Sequence, residues 1–276
     1  MINTIKGLRA IAAGALLTIA ATAATAAPVF TVNPNSNGLA TAGTTFQADS
    51  MLGSSSARIV QTGNTDGVYT YTGSGYINYT SFALNNAGVS VPQTRLNFDY
   101  GLYATFEQTF SCSSALGTGV SCSITGITLD LFADAGNNNT YTSATANSNA
   151  SVNTNGTQVR LGSVTQAIAG DAGINNLGGA FQNINSDFIL TAEGRDFFVS
   201  PDPFYSFAFS AFNNTSQGLS CNGTVGANGC GGAFTSLAIN QESGITDFNA
   251  VPEPASLAIF GAGLLGLGAL RRRRQS

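Results

Sequence analysis

The chain contains no histidine and no tryptophan, and only ten of its 276 residues are lysine or arginine. Without histidine, the Ser-His-Asp and Cys-His routes to an activated nucleophile are absent. So are the imidazole ligands of the usual catalytic zinc sites. Without tryptophan, the ring most suited to sugar stacking is missing, and the eighteen phenylalanines and eight tyrosines read mainly as core. The one lysine is Lys6. Between residues 27 and 250 the basic residues are Arg58, Arg95, Arg160 and Arg195, set against thirteen acids, a formal charge of −9. Such a surface repels nucleic acid and anionic lipid, so neither is expected as a partner. Solubility rests instead on Asn, Ser, Thr and Gly.

The two ends differ from the rest. Lys6 and Arg9 precede an apolar stretch, residues 10–21, too short to span a bilayer, and a small-residue tract follows. Ala24 and Ala26 fit the A-x-A pattern of signal peptidase, so residues 1–26 read as a signal peptide with an N-terminal helix. Cleavage is expected after Ala26, because a cut after Ala27 leaves Pro28 beside the scissile bond. No cysteine lies near enough for lipid attachment. At the other end Pro252, Glu253 and Pro254 make a stiff extended element. Residues 255–270 carry no charge, and Arg271, Arg272, Arg273 and Arg274 close the run. Sixteen helical residues rise about 24 Å against a hydrocarbon core of about 30 Å. A thin bilayer or snorkelling arginines make up the difference. The arginines stay cytoplasmic under the positive-inside rule, which places the body outside, as the signal peptide also requires.

This order of Pro-Glu-Pro, glycine-dotted apolar helix and arginine cluster resembles the PEP-CTERM sorting signal. The resemblance implies a membrane-embedded cysteine protease, exosortase, as a partner that recognises Pro252-Glu253-Pro254. It also implies an envelope or matrix destination in exopolysaccharide-making Gram-negative bacteria, reached after transient anchoring in the inner membrane. The body is similar in places to flocculation-associated and cistern-type PEP-CTERM proteins, at residues 35–41, 45–49, 100–103 and 203–217. That likeness implies a structural or adhesive role with exopolysaccharide in aggregates or biofilm, and no catalytic residues.

Removing both ends leaves 224 residues, enough for one large domain or two small ones. Abundant Thr, Tyr, Phe and Val with turn residues between them suits β-sheet. From Leu96 to Phe106 the even positions are Leu, Phe, Tyr, Leu, Ala and Phe, a strand with one buried face. Ile127, Leu129 and Leu131 alternate with polar residues. Tyr205, Phe207, Phe209 and Ala211 alternate with Ser206, Ala208 and Ser210. Further strands are expected at 68–72, 76–82, 159–164 and 234–239, and residues 165–194 are ambiguous, with room for a short helix. The expected fold is all-β, an antiparallel β-sandwich or jelly roll over residues 27–240, with a C-terminal transmembrane helix. Residues 134–158 read as a long exposed loop or linker. Residues 241–251 read as a polar stalk, and 252–276 as the sorting and anchor segment.

Four cysteines fall into two local pairs, Cys112 with Cys122 and Cys221 with Cys230. Three connectivities are possible, and export favours disulfides, with the two local ones preferred. Zinc is disfavoured, since there is no His and no C-x-x-C. The Asp130, Asp134, Asn137, Asn138, Asn139 cluster offers oxygens of the kind calcium takes, but its spacing departs from the calcium-loop pattern, and a turn is the simpler reading. Glu193 to Asp196 reads as a charged turn. Asp99 and Glu107 are the formal candidates for a two-carboxylate glycosidase, yet both lie on the polar side of the alternation and read as solvated acids. No cofactor or metal is expected, and the chain is not expected to be an enzyme. A surface glycan-binding module is the alternative to the structural or adhesive reading, and a carboxylate enzyme acting on carbohydrate the second alternative.

Overall fold

The computed structural model describes residues 28–214, 218–223 and 234–249. The signal segment with Ala24 and Ala26, Cys230, and the segment from Pro252 to the arginines lie outside the described residues. The strands in chain order are β1 Phe30–Val32, β2 Phe46–Ala48, β3 Ser50–Thr65, β4 Val68–Leu84, β5 Val89–Ser90, β6 Tyr100–Cys112 and β7 Val120–Ala135. Then come β8 Thr140–Thr142, β9 Ser151–Asn153, β10 Gln158–Val164, β11 Ala167–Ile174, β12 Ala180–Asp187 and β13 Ile189–Leu190. A short helix, α1 Ala192–Phe197, precedes β14 Phe198–Ser200, β15 Phe207–Asn213, β16 Leu219–Gly223 and β17 Phe234–Asn249.

The all-β expectation holds, but the architecture is one curled sheet. Eight antiparallel strands run in the order β11, β12, β15, β17, β3, β4, β6, β7, and the two ends of that row meet. At the seam Gly119 N–H donates to Ile174 O at 2.8 Å, and Thr118 bridges Ile174. The strands touch so closely there that a Cβ on Gly173 would lie 2.2 Å from Val120 O. The rest of the free edge of β7 is taken by β10. The result is a barrel-like sheet instead of the two stacked sheets of a sandwich. Eight strands enclose an interior that side chains can fill. Met51, Ile77, Leu102, Phe110, Leu131, Ile184, Phe212 and Leu237 do so from successive strands.

Long strands curl because bulges punctuate them. Register shifts fall at Leu52/Gly53 and Gln61/Gly63 in the β3–β4 pair, at Thr109/Phe110 in β6–β7 and at Asn240/Glu242 in β17–β3. Within β6 the even positions Tyr100 to Cys112 do face inward, but 96–99 form a turn and Phe98 is 73% exposed. In β15 the faces are the reverse of what the aromatics suggest: Ala208 and Phe212 are buried, while Phe207, Phe209 and Ala211 look outward, half-buried.

Both barrel mouths are plugged. At one, the small sheet β14–β1–β2 lays down aromatic rings. Phe30 makes edge contacts with Phe248 (5.3 Å between centroids), Phe198 (5.7 Å), Phe204 (6.2 Å) and Phe82 (6.4 Å). At the other, the β6–β7 connection carries the Cys112–Cys122 disulfide. Leu116 N–H there donates to Tyr71 Oη at 2.8 Å, and Tyr71 stacks on Phe110.

Three boundaries expected from the sequence move. Residues 241–249 are no stalk: they are the second half of β17, a central strand paired with both β3 and β15. Residues 165–194 are β11, β12 and β13, and the helix begins only at Ala192. Glu193 to Asp196 lie within that helix, which Thr191 caps by accepting from Gly194 N–H. The stretch 134–158 carries the β8–β9 ribbon and folds back on the barrel's outer wall.

Candidate functional site

The outer wall of β3, β4, β6 and β7 carries a groove. Arg58, Thr72, Ser74, Glu107, Thr109 and Thr128 point outward there, because the residues between them fill the barrel. Register sets Ser74 opposite Glu107 and Glu107 opposite Thr128, so one row across three strands reads hydroxyl, carboxylate, hydroxyl. Gly126 keeps the floor low where a Cβ would come within 3.0 Å of Thr109 Oγ1. Two adjoining hollows, of about 640 and 560 Å³, share Ser74, Glu107, Thr128, Asn149 and Thr165. They form one continuous groove of the size that holds small ligands.

Its raised wall is the 143–150 segment, fixed by side chains of β3 and β17. Arg58 Nε donates to Ala146 O at 3.1 Å and Arg58 Nη1 to Asn149 Oδ1 at 3.2 Å. Ser236 Oγ donates to the same Ala146 O at 2.5 Å, and Asn240 Nδ2 donates to Ala144 O at 3.0 Å. Ala144 N–H donates to Ser56 Oγ at 2.9 Å. At the far end Arg160 Nε donates to Asp130 Oδ1 at 2.8 Å, so those two charges offset each other. The Glu107 side chain is exposed, and no described residue bonds or pairs with it.

The carboxylates singled out in the sequence are not brought together. Asp99 precedes β6 and takes a two-pronged ion pair from Arg95, Nε and Nη2 each at 2.7 Å, while the same guanidinium sits 4.4 Å from the Phe98 ring centroid. Glu107 is eight residues further on, on the order of 25 Å along an extended strand. The oxygen cluster is likewise divided. Asp130 faces Arg160. Asp134 is buried and accepts from Asn139 N–H at 2.8 Å and Gln158 Nε2 at 3.3 Å. Asn139 and Gln158 bond each other as well, which makes this an amide-knotted turn. Among the described residues no group of three or more His, Cys, Asp or Glu side chains is placed to hold a metal.

Sequence reasoning did not find Glu242. It lies wholly buried inside the barrel, where burial pushes its carboxyl up to about 7 and the Ser55 hydroxyl, which donates to it, pulls the other way. Gln108 and Gln182 share a hollow of about 20 Å³ with it, and Gln108 Oε1 has no partner among the described residues. Nearby, Thr246 Oγ1 joins Tyr79 Oη at 3.1 Å and Ser210 Oγ at 3.0 Å. Burial pushes the Tyr79 hydroxyl up to about 12. The Cys112–Cys122 pair is closed; Cys221 lies on β16, and its expected partner Cys230 is outside the described residues.

Residues 250–274 match the family described as PEP-CTERM protein-sorting motif, and the matched segment starts on the residue after β17 ends. That motif supports an exported surface protein with exosortase as its sorting partner and transient membrane anchoring before display. No curated protein and no solved structure matches the chain. Among the described residues no helix is long and apolar enough to cross a membrane; residues 255–270 lie outside them.

Proposed function

We propose that the chain is a non-enzymatic structural or adhesive protein of the cell surface or extracellular matrix, delivered by exosortase and holding cells together with exopolysaccharide. The observation that carries this reading is the sorting motif at 250–274, joined directly to a compact all-β body. The body supports it in kind: its outer wall is rich in hydroxyls, and its mouths are plugged. Signal peptidase acts first, after Ala26; the arginines at 271–274 then hold the tail in the inner membrane until exosortase processes it near Pro252-Glu253-Pro254. Aggregation, flocculation or biofilm cohesion is the phenotype to seek.

The test compares cells carrying the native motif with cells carrying Pro252→Ala, Glu253→Ala and Pro254→Ala together. Intact mass and the membrane, surface and medium fractions are followed. The native chain is expected to lose its tail and leave the membrane fraction, while the variant stays behind and cells aggregate less. Equal fractionation with both tails retained would reduce the motif to a plain anchor flank and remove the main support for the matrix role.

A further inference from the structure

The groove on the outer wall has no role in sorting, and its chemistry is specific enough to name a ligand class. We propose that it binds a neutral polysaccharide segment, with Glu107 as the central acceptor of sugar hydroxyls. The inference deepens the matrix reading and rests on the body being displayed outside the cell, where such chains are met.

Three features carry it. The first is the row Ser74, Glu107, Thr128 across the floor, a carboxylate flanked on both sides by hydroxyls. An ionised carboxylate is acceptor-only, and it takes charge-assisted hydrogen bonds from vicinal hydroxyls; Ser and Thr both donate and accept. The Glu107 carboxylate meets no donor among the described residues, so its acceptor capacity is open to a ligand. The second is charge balance. Arg160 pairs with Asp130, while Arg58, whose bonds to Ala146 O and Asn149 Oδ1 leave its charge in place, is matched in number by Glu107. The described lining thus holds two cations and two anions, so it offers no net positive charge to draw phosphate or a uronic acid. The third is preorganisation. Side chains on two central strands fix the wall segment through Ala144, Ala146 and Asn149, so little ordering remains for binding to bring about.

The experiment uses the full exported chain and a panel of soluble neutral glycans (dextran, laminarin and galactomannan) with anionic alginate as the contrast, read by affinity electrophoresis and calorimetry. The wild type is expected to bind at least one neutral glycan and to ignore alginate. Glu107→Gln keeps the shape and removes the charge; it is expected to weaken that binding about tenfold, the loss of one charge-assisted hydrogen bond. Ser74→Tyr, which fills the floor, is expected to abolish it. Glu193→Gln, outside the groove, is expected to change nothing. Circular dichroism and thermal unfolding check that each variant keeps the wild-type fold. No binding to any neutral glycan, preference for alginate, or binding unaltered in both groove variants would each overturn the inference. A wild type that is sorted to the surface yet binds no glycan sinks the groove alone. One that binds in the groove but is not sorted sinks the exosortase reading alone.

Discussion

Ser55 and Glu242 face each other across the β3–β17 ladder inside the barrel, and the serine hydroxyl donates to the glutamate carboxyl. The unfolded chain releases this proton near pH 4.3, whereas the folded barrel holds it until about 7. Between those values the native state carries a proton that the unfolded state has lost. Stability therefore falls as pH rises through the window, by roughly 3–4 kcal/mol in total, and levels off above it. Asp247, raised by burial, adds a slope of the same sign. Glu242→Gln is expected to flatten most of the slope and to be more stable than wild type at pH 8. Urea midpoints at pH 5 and pH 8 decide it: an unchanged pH dependence in the variant would assign the effect to another group.

The barrel seam depends on the missing side chain at Gly173. A Cβ there meets Val120 O at 2.2 Å, backbone that cannot rotate away. Gly173→Val is expected to cost about 2–3 kcal/mol through the forced separation of β11 from β7. Amide exchange should rise locally at Gly119, whose N–H crosses the seam. Wild-type protection at Gly119 in the variant would mean the seam is looser than the geometry shows.

The Cys112–Cys122 disulfide closes a short loop, the two cysteines being ten apart in sequence. Replacing both by serine is expected to lower stability by about 2–3 kcal/mol in the chain-entropy account. The wild type treated with reductant should shift by at least as much, because Cys221 is disulfide-bonded too. A double variant with an unaltered thermal midpoint would show the Leu116 and Tyr71 contacts alone to suffice as the plug.

Arg58 holds the groove wall from beneath. Arg58→Ala should leave the barrel intact, changing global stability by no more than about 1 kcal/mol, while exchange at residues 144–149 rises about tenfold or more. Protection that persists there would credit Ser236 and Asn240 with the whole attachment.

Much of the β character was legible because one face of β6 and of β7 is apolar at every second position, with Leu102, Phe106 and Leu131 buried and Leu129 half-buried beside them. What failed to show has physical causes. The inward positions of β3 include Gly53, Ser55 and Ala57, and those of β17 include Glu242, Gly244 and Thr246, so two of the longest strands look polar from their residues alone. Bulges also exchange the two faces within a strand, as at Gln241, whose φ is +58°. Barrel closure rests on contacts such as Thr118 with Ile174, distant in sequence and marked by nothing in composition. The groove was hidden for the same reason: Ser74, Glu107 and Thr128 become a row only once the register is known, and its wall comes from a segment that reads as an exposed loop. The sorting segment is the opposite case, a linear signal that needs no fold to be read.

The position of β17 has a mechanical consequence. It is flanked by β3 on one side and β15 on the other, and its last residue, Asn249, is followed at once by the segment that anchors the protein. Ladder hydrogen bonds lie perpendicular to the strands. A tug through the anchor along β17 therefore strains both rows of bonds in shear, many at a time, where an edge strand would peel away bond by bond. While the tail still holds the membrane, any pull on the body is thus borne by a strand locked on both sides.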